Sequence, residues 1–107
     1  MTRSLVYILL LGIIGLSDIA LADSQDARKT LHVAFRRAIE DIVKKGEKDP
    51  YTIADFAMAR TQTERQQFLK ARVIEGLRQG LRRSEAEENA TAEIKDMLDS
   101  LLESILP

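Results

Sequence analysis

Apolar residues beyond position 22 recur with the spacing of amphipathic helices. The first such series follows intervals of three and four residues, which places its members on one helix face. Its members are Leu31, Phe35, Ala38, Ile39, Ile42 and Val43. The spacing predicts a helix from about Asp26 to Lys45, capped by Ser24 or Asp23. Gly46 suits a left-handed helix stop, and Asp49-Pro50 marks the break.

The same pattern predicts three further helices. A short one begins after Thr52 and ends near Arg60. A third covers about residues 64 to 82 and opens at a capping box that starts with Thr63. A fourth runs from a capping box at Ser84 to about Ile105. The expected buried stripe of the third helix is Phe68, Leu69, Val73, Ile74, Leu77 and Leu81.

Period-two alternation and hairpin turn dipeptides are both missing from the sequence. The pattern therefore predicts an all-α fold, a small bundle of three to four short amphipathic helices whose spine is a hairpin over residues 64 to 106. The chain has no cysteine, so disulfides cannot stabilise it. Helix packing, self-association as a homodimer, or a bound ligand must do so instead. Gly76 and Gly80 lie four residues apart and indicate either a frayed helix end or a close helix approach.

The N-terminus has the three parts of a secretory signal peptide. Met1–Ser4 carries one arginine, an apolar run extends from Leu5 to Leu16, and the small-residue site Ala20-Leu21-Ala22 precedes Asp23. An uncleaved membrane anchor is the alternative, although a span needs ~20 apolar residues and this run has 12. We therefore expect a signal peptide over residues 1–22, cleavage between Ala22 and Asp23, and a mature helical domain over residues 23–107 without a stable membrane span. The protein is expected to be secreted, or periplasmic in a bacterial host.

Charge is distributed unevenly along the second half of the chain. Residues 60–83 hold seven Lys/Arg against two acids, and residues 85–107 hold seven acids against one lysine. Such segments pair favourably within a hairpin, or one face docks an oppositely charged partner. The candidate partner-facing basic residues are Arg65, Arg72, Arg78, Arg82 and Arg83. Without Arg3 and Asp18 the mature part has a net charge of −1, which gives no reason to expect a nucleic-acid partner.

Motifs of catalysis are scarce. His32 is the only histidine and falls on the polar face of the first helix, so the common zinc-ligand spacings cannot be assembled. Phosphate-binding glycine loops are missing too. The sequence therefore predicts no catalytic residue, no cofactor and no metal site. Asn89-Ala90-Thr91 fits the acceptor pattern for N-linked glycosylation, which matters only in a host with an endoplasmic reticulum.

Two short segments resemble known families. Residues 38–46 with Asp49-Pro50 resemble the opening helix of secreted arthropod proteins related to the group 7 mite allergens, a lipid-binding class. Residues 63–68 are similar to a helix start in the bacterial periplasmic phospholipid-shuttle family. Each resemblance covers fewer than 20 residues. Both families contain a sheet, for which this sequence offers no strands, so neither resemblance is taken as membership.

These observations predict a small secreted, non-enzymatic helical protein that binds an unidentified protein partner. The alternative is a carrier of a lipid or other apolar ligand, or a membrane-active polypeptide, because amphipathic helices also enclose apolar ligands or lie on membranes. An enzyme whose site is assembled from dispersed Arg and Glu residues is the third hypothesis.

Overall fold

A computed structural model describes residues 24–107, and the predicted signal peptide and its cleavage site at Ala22 and Asp23 lie outside these residues. Four helices form the described part of the chain: α1 (Ser24–Lys44), α2 (Pro50–Arg60), α3 (Gln62–Arg78) and α4 (Arg83–Ile105). Because this part contains helices and no strand, the all-α bundle predicted from the apolar pattern is confirmed.

Helices α1, α3 and α4 pack side by side, and their side-chain contacts define their directions. Ser24 at the start of α1 meets Glu75 near the end of α3, so these two helices are antiparallel. Helices α3 and α4 form the predicted antiparallel hairpin, in which Arg72 contacts Glu93. Arg28 of α1 also contacts Glu93 of α4. Because α1 and α4 are both antiparallel to α3, they run parallel to each other.

The core lies where all four helices meet. Its largest side chains, Phe35 of α1 and Phe68 of α3, are completely shielded from solvent. The remaining core residues are Leu31, Ala38, Ile39, Ile53, Ala57, Ile94, Met97, Leu98 and Leu101. Burial of these apolar surfaces supplies the driving force that holds α2 against α1 and α4.

Helix α1 ends where the sequence predicts. Gly46 has φ of 101°, its N–H bonds to the Val43 carbonyl, and the Glu47 N–H bonds to the Ile42 carbonyl. This pair of hydrogen bonds is a Schellman motif, in which glycine takes the left-handed conformation without a steric cost.

The start of α2 is earlier than predicted. The Asp49 carboxylate accepts hydrogen bonds from the Thr52 backbone N–H at 2.9 Å and from the Thr52 hydroxyl at 2.8 Å. Pro50 then fits the first helical turn, where its missing N–H is not needed. Asp49-Pro50 therefore opens α2 as well as following the end of α1.

The predicted capping boxes at Thr63 and Ser84 are wrong. Helix α3 begins at Gln62, and Thr61 alone separates it from the end of α2. The hydroxyl of this buried threonine donates to the Ala57 carbonyl at 2.8 Å. Such back-bonding favours an interruption of the helix at this residue. Helix α4 begins at Arg83, where the Glu85 carboxylate accepts the Arg82 backbone N–H at 3.2 Å.

Each glycine of the predicted pair has its own role. Gly80, with φ of 92°, ends α3 at Arg78, four residues before the predicted end. Gly76 is buried inside α3, and a Cβ placed there lies 2.9 Å from the Cβ of Ala86 in α4. The two backbones can therefore approach closely only because position 76 has no side chain.

Candidate functional site

Five polar side chains from three helices form a connected network, which we call the Arg72 cluster. Its members are Ser24, Arg28, Arg72, Glu75 and Glu93. Arg72 holds Glu93 in a bidentate pair, with Nε at 2.9 Å from Oε1 and Nη2 at 2.8 Å from Oε2. Its Nη1 donates to Glu75 Oε1 at 2.7 Å. Such two-point geometry is among the stronger forms of ion pairing.

The cluster also connects the first two turns of α1 to the hairpin. The Ser24 hydroxyl donates to Glu75 Oε1 at 2.9 Å, and Arg28 Nε donates to Glu93 Oε2 at 3.2 Å. The guanidinium of Arg72 additionally lies over the Phe68 ring, 5.5 Å from its centroid. The cluster therefore joins the start of α1, the second half of α3 and the middle of α4 at one side of the core.

Arg72 is the main cause of the pKa shifts in this cluster. Its hydrogen bonds hold the pKa of both Glu75 and Glu93 below the ordinary value, against the opposing effect of burial. The two carboxylates raise the already high pKa of Arg72 in return. All three groups consequently stay ionised at neutral pH. General acid–base catalysis is most effective when the pKa lies near the working pH, and these carboxyls are shifted away from it.

The second candidate site is the outer face of α3, where the structure departs from the predicted stripe. Phe68 is fully buried, but Leu77 is 47% exposed and Val73 and Ile74 are half-buried. At ~100° per residue, Val73 and Leu77 lie about 140° and 180° around the helix from Phe68. They therefore point away from the core. The expected single stripe is in fact two faces, one inward and one outward.

Polar residues occupy much of the inward face of α3 instead. Arg72 and Glu75 flank Phe68 there, together with buried Ala71 and Gly76. The inward face of α3, which was predicted to carry larger apolar side chains, thus carries Arg72 and Glu75 and the close contact at Gly76. Leu69 still packs against the core from one side, whereas Val73 and Ile74 stay half-buried and Leu77 stays exposed.

An open groove of about 630 Å³ lies between the outer face of α3 and the adjoining side of α4. We call it the α3–α4 groove. Its apolar lining is Leu69, Val73, Ile74 and Leu77. Lys70, Arg83, Glu87 and Thr91 complete it, and Arg83 pairs with Glu87 at 3.1 Å. Exposed apolar patches rimmed by polar residues are typical of interaction sites.

The five predicted partner-facing arginines take different roles in the structure. Arg65 donates to the Met58 carbonyl at 2.7 Å and so caps the end of α2. Arg72 is the centre of the cluster described above. Arg82 is the last residue of the turn between α3 and α4, and Arg83 is the first residue of α4. Their side chains are 84% and 80% exposed, and Arg78 ends α3. Only Arg83 of the five lines the groove.

The remaining candidate residues lie on the surface. Asn89 is exposed in the second turn of α4. His32 is half-buried and lines a polar groove between α1 and α4 with Arg36, Ser100 and Ser104. Within residues 24–107, no group of three or more potential metal ligands comes together. None of the helices in this part of the chain has an apolar stretch that could cross a membrane.

The sequence pattern identified Arg72 as a candidate residue but did not predict the network of side chains around it. Arg28 and Glu93 are separated from each other by 65 positions, so no local motif links them. The helical angle between Phe68 and Leu77 was a usable signal for the outward apolar face, because residues nine positions apart lie on opposite sides of a helix.

Comparisons of the chain with protein-family models, with curated proteins and with solved structures found no match. The site therefore has to be interpreted from its own geometry.

Proposed function

We propose that this is a secreted, non-enzymatic interaction protein that docks a protein partner in the α3–α4 groove. The observation that carries the proposal is the outward apolar face of α3. Leu77 is 47% exposed, and it continues a series with Leu69 and Val73 at intervals of four residues. Leu69 also packs against the core, but the exposed surface of Val73 and Leu77 is removed from water only if another molecule covers it.

The Arg72 cluster supports a structural rather than a catalytic role for the polar residues of the bundle. The guanidinium already donates to Glu75 and Glu93 at 2.7–2.9 Å. A substrate would have to displace these bonds, and the lowered pKa values of the carboxyls make them weak proton donors and acceptors at neutral pH. We assign the cluster to fixing α1 against the hairpin, which keeps the groove in shape.

A matched pair of variants tests the proposal. Leu77→Asp places a charge in the groove, and Val33→Asp places the same charge at an equally exposed apolar position of α1, since the two side chains are 47% and 46% exposed. The purified wild-type chain and both variants are used as baits in the fluid from which the protein comes, after circular dichroism confirms equal helicity. We expect wild type and Val33→Asp to capture the same protein, and Leu77→Asp to lose it.

Two results would contradict the proposal. Capture that is equal for all three baits would show that the groove is not the docking site. Extractable lipid that copurifies with wild type and Val33→Asp, and is lost from Leu77→Asp, would favour the alternative of an apolar-ligand carrier. A groove of about 630 Å³ is within the size range of small-molecule sites, so lipid extraction belongs in the same experiment.

A further inference from the structure

We infer that the occupant of the α3–α4 groove is an acidic amphipathic helix of the partner, which lays its apolar side chains between α3 and α4 and directs a carboxylate at Lys70. This inference rests on the proposed function and specifies the chemistry of the partner. It follows from the shape of the groove and from the charges that line it.

The shape of the groove favours a helix. Leu77 lies eight positions after Leu69 in α3, with Val73 midway between them, so the series is about 12 Å long at the helical rise of 1.5 Å per residue. The antiparallel α4 forms the other wall through Glu87 and Thr91. A channel between two neighbouring helices receives the side chains of a third helix as ridges enter grooves. A flat lipid surface, by contrast, is best contacted by apolar residues that protrude.

The charges of the groove favour acidic residues on that helix. Of the charged residues in its lining, Arg83 and Glu87 pair with each other at 3.1 Å. Lys70 is exposed, and no carboxylate of the described chain lies within ion-pair distance of it. The lining therefore has one uncompensated positive charge beside the apolar series. Complementary charge at an interface mainly sets orientation and partner choice, so Lys70 is the specificity-determining residue of the groove.

Two synthetic peptides provide a direct probe. Both are 18-residue helices with the same leucine face at intervals of three and four, and they differ only in having glutamates or lysines beside that face. Binding of each labelled peptide to the full chain is followed by fluorescence anisotropy. We expect the glutamate peptide to bind about fivefold tighter than the lysine peptide, as a partly exposed ion pair allows. The variant Lys70→Glu should reverse this preference.

Two further variants locate the effect. Leu77→Asp should weaken both peptides at least about tenfold, because it places a charge against their leucine face. Lys48→Glu reverses the charge of an exposed lysine in the loop between α1 and α2 and should leave the preference of wild type unchanged. Circular dichroism of each variant establishes that the bundle is intact.

The outcomes separate this inference from the proposed function. Equal binding of the two peptides, abolished by Leu77→Asp, would overturn the acidic-helix inference and leave the groove as the docking site. Peptide binding that is unchanged by Leu77→Asp would overturn both the acidic-helix inference and the proposed docking site. Absence of peptide binding overturns the inference, and the capture experiment then decides the proposed function. Binding to vesicles of phosphatidylcholine and phosphatidylglycerol that Leu77→Asp removes would identify a lipid surface as the occupant and overturn the helix.

Discussion

Arg72 is the central residue of the polar network that links α1, α3 and α4. Its side chain is 22% exposed, and its two carboxylate partners, Glu93 and Glu75, are 29% and 36% exposed. We expect Arg72→Met, which removes the donors of this side chain, to lower the free energy of unfolding by about 1–3 kcal/mol, because two partly buried carboxylates lose the hydrogen bonds that Arg72 donates. Urea unfolding followed by circular dichroism measures the change.

Arg82→Met is the matched control for this prediction. Arg82 is 84% exposed and lies 3.7 Å from Glu85, so its loss should change stability by less than about 0.5 kcal/mol. An Arg72→Met variant as stable as the control would show that the cluster does not hold the helices together.

The pH dependence of stability provides a second prediction at the residue scale. The pKa values of Glu75 and Glu93 are lower in the folded chain than the ordinary value of 4.5, mainly because both accept hydrogen bonds from Arg72. Folding therefore favours their ionised forms. Their contribution is complete above the unfolded-state pKa and is lost as the pH falls below about 4.5 through the folded-state pKa.

The free energy of unfolding of the wild type, measured from pH 6 down to pH 3, should therefore fall more steeply than that of Arg72→Met. The two curves should approach each other toward the acid end, as the carboxyls become protonated. Parallel curves would show that other carboxyls cause the acid sensitivity.

At the scale of elements, the hairpin of α3 and α4 depends on the contact between Gly76 and Ala86. Glycine inside a helix normally costs about 1 kcal/mol relative to alanine. Here a Cβ at position 76 lies 2.9 Å from the Ala86 Cβ and 3.6 Å from its Cα, so the helices have to move apart. We expect Gly76→Ala to lower the free energy of unfolding by about 1–3 kcal/mol, as overpacking does.

The double variant Gly76→Ala/Ala86→Gly isolates this contact. Moving the methyl group from α4 to α3 keeps the volume between the helices and should recover most of the stability that Gly76→Ala loses. If Gly76→Ala alone stabilised the protein, the ordinary helix preference would dominate and the close approach would be unimportant.

The sequence predicted the existence of the four helices much better than it predicted how the helices pack. Each of the four predicted segments overlaps an observed helix, because the apolar period is a local property. Helix starts were less accurate: Thr63 and Ser84 have capping residue types, yet Thr61 and Arg82 are the boundary residues. Several residues near each boundary are compatible with a start, and tertiary packing decides among them.

At the scale of the whole molecule, the contrast between the basic segment 60–83 and the acidic segment 85–107 produces fewer ion pairs between helices than the sequence suggests. The basic and acidic segments do form neighbouring helices, and Arg72 pairs with Glu93 across them. Arg83, however, pairs with Glu87 within its own helix, and Arg65 serves as a cap for α2. The net charge of a segment does not specify which helix face each charged residue occupies. The outward apolar groove likewise depends on which face of α3 packs inward, and only the structure shows that face.

Export is the remaining prediction at this scale. If the signal peptide is cleaved between Ala22 and Asp23, one residue precedes Ser24, whose hydroxyl is bound to Glu75 at 2.9 Å. The intact mass of protein purified from its own source should then equal residues 23–107, with added hexose-containing mass on Asn89 in a eukaryotic secretory host. A mass that still includes residues 1–22 would identify a membrane-anchored protein. The groove would then work beside a lipid surface, so the lysine and glutamate peptides would have to be compared in the presence of vesicles.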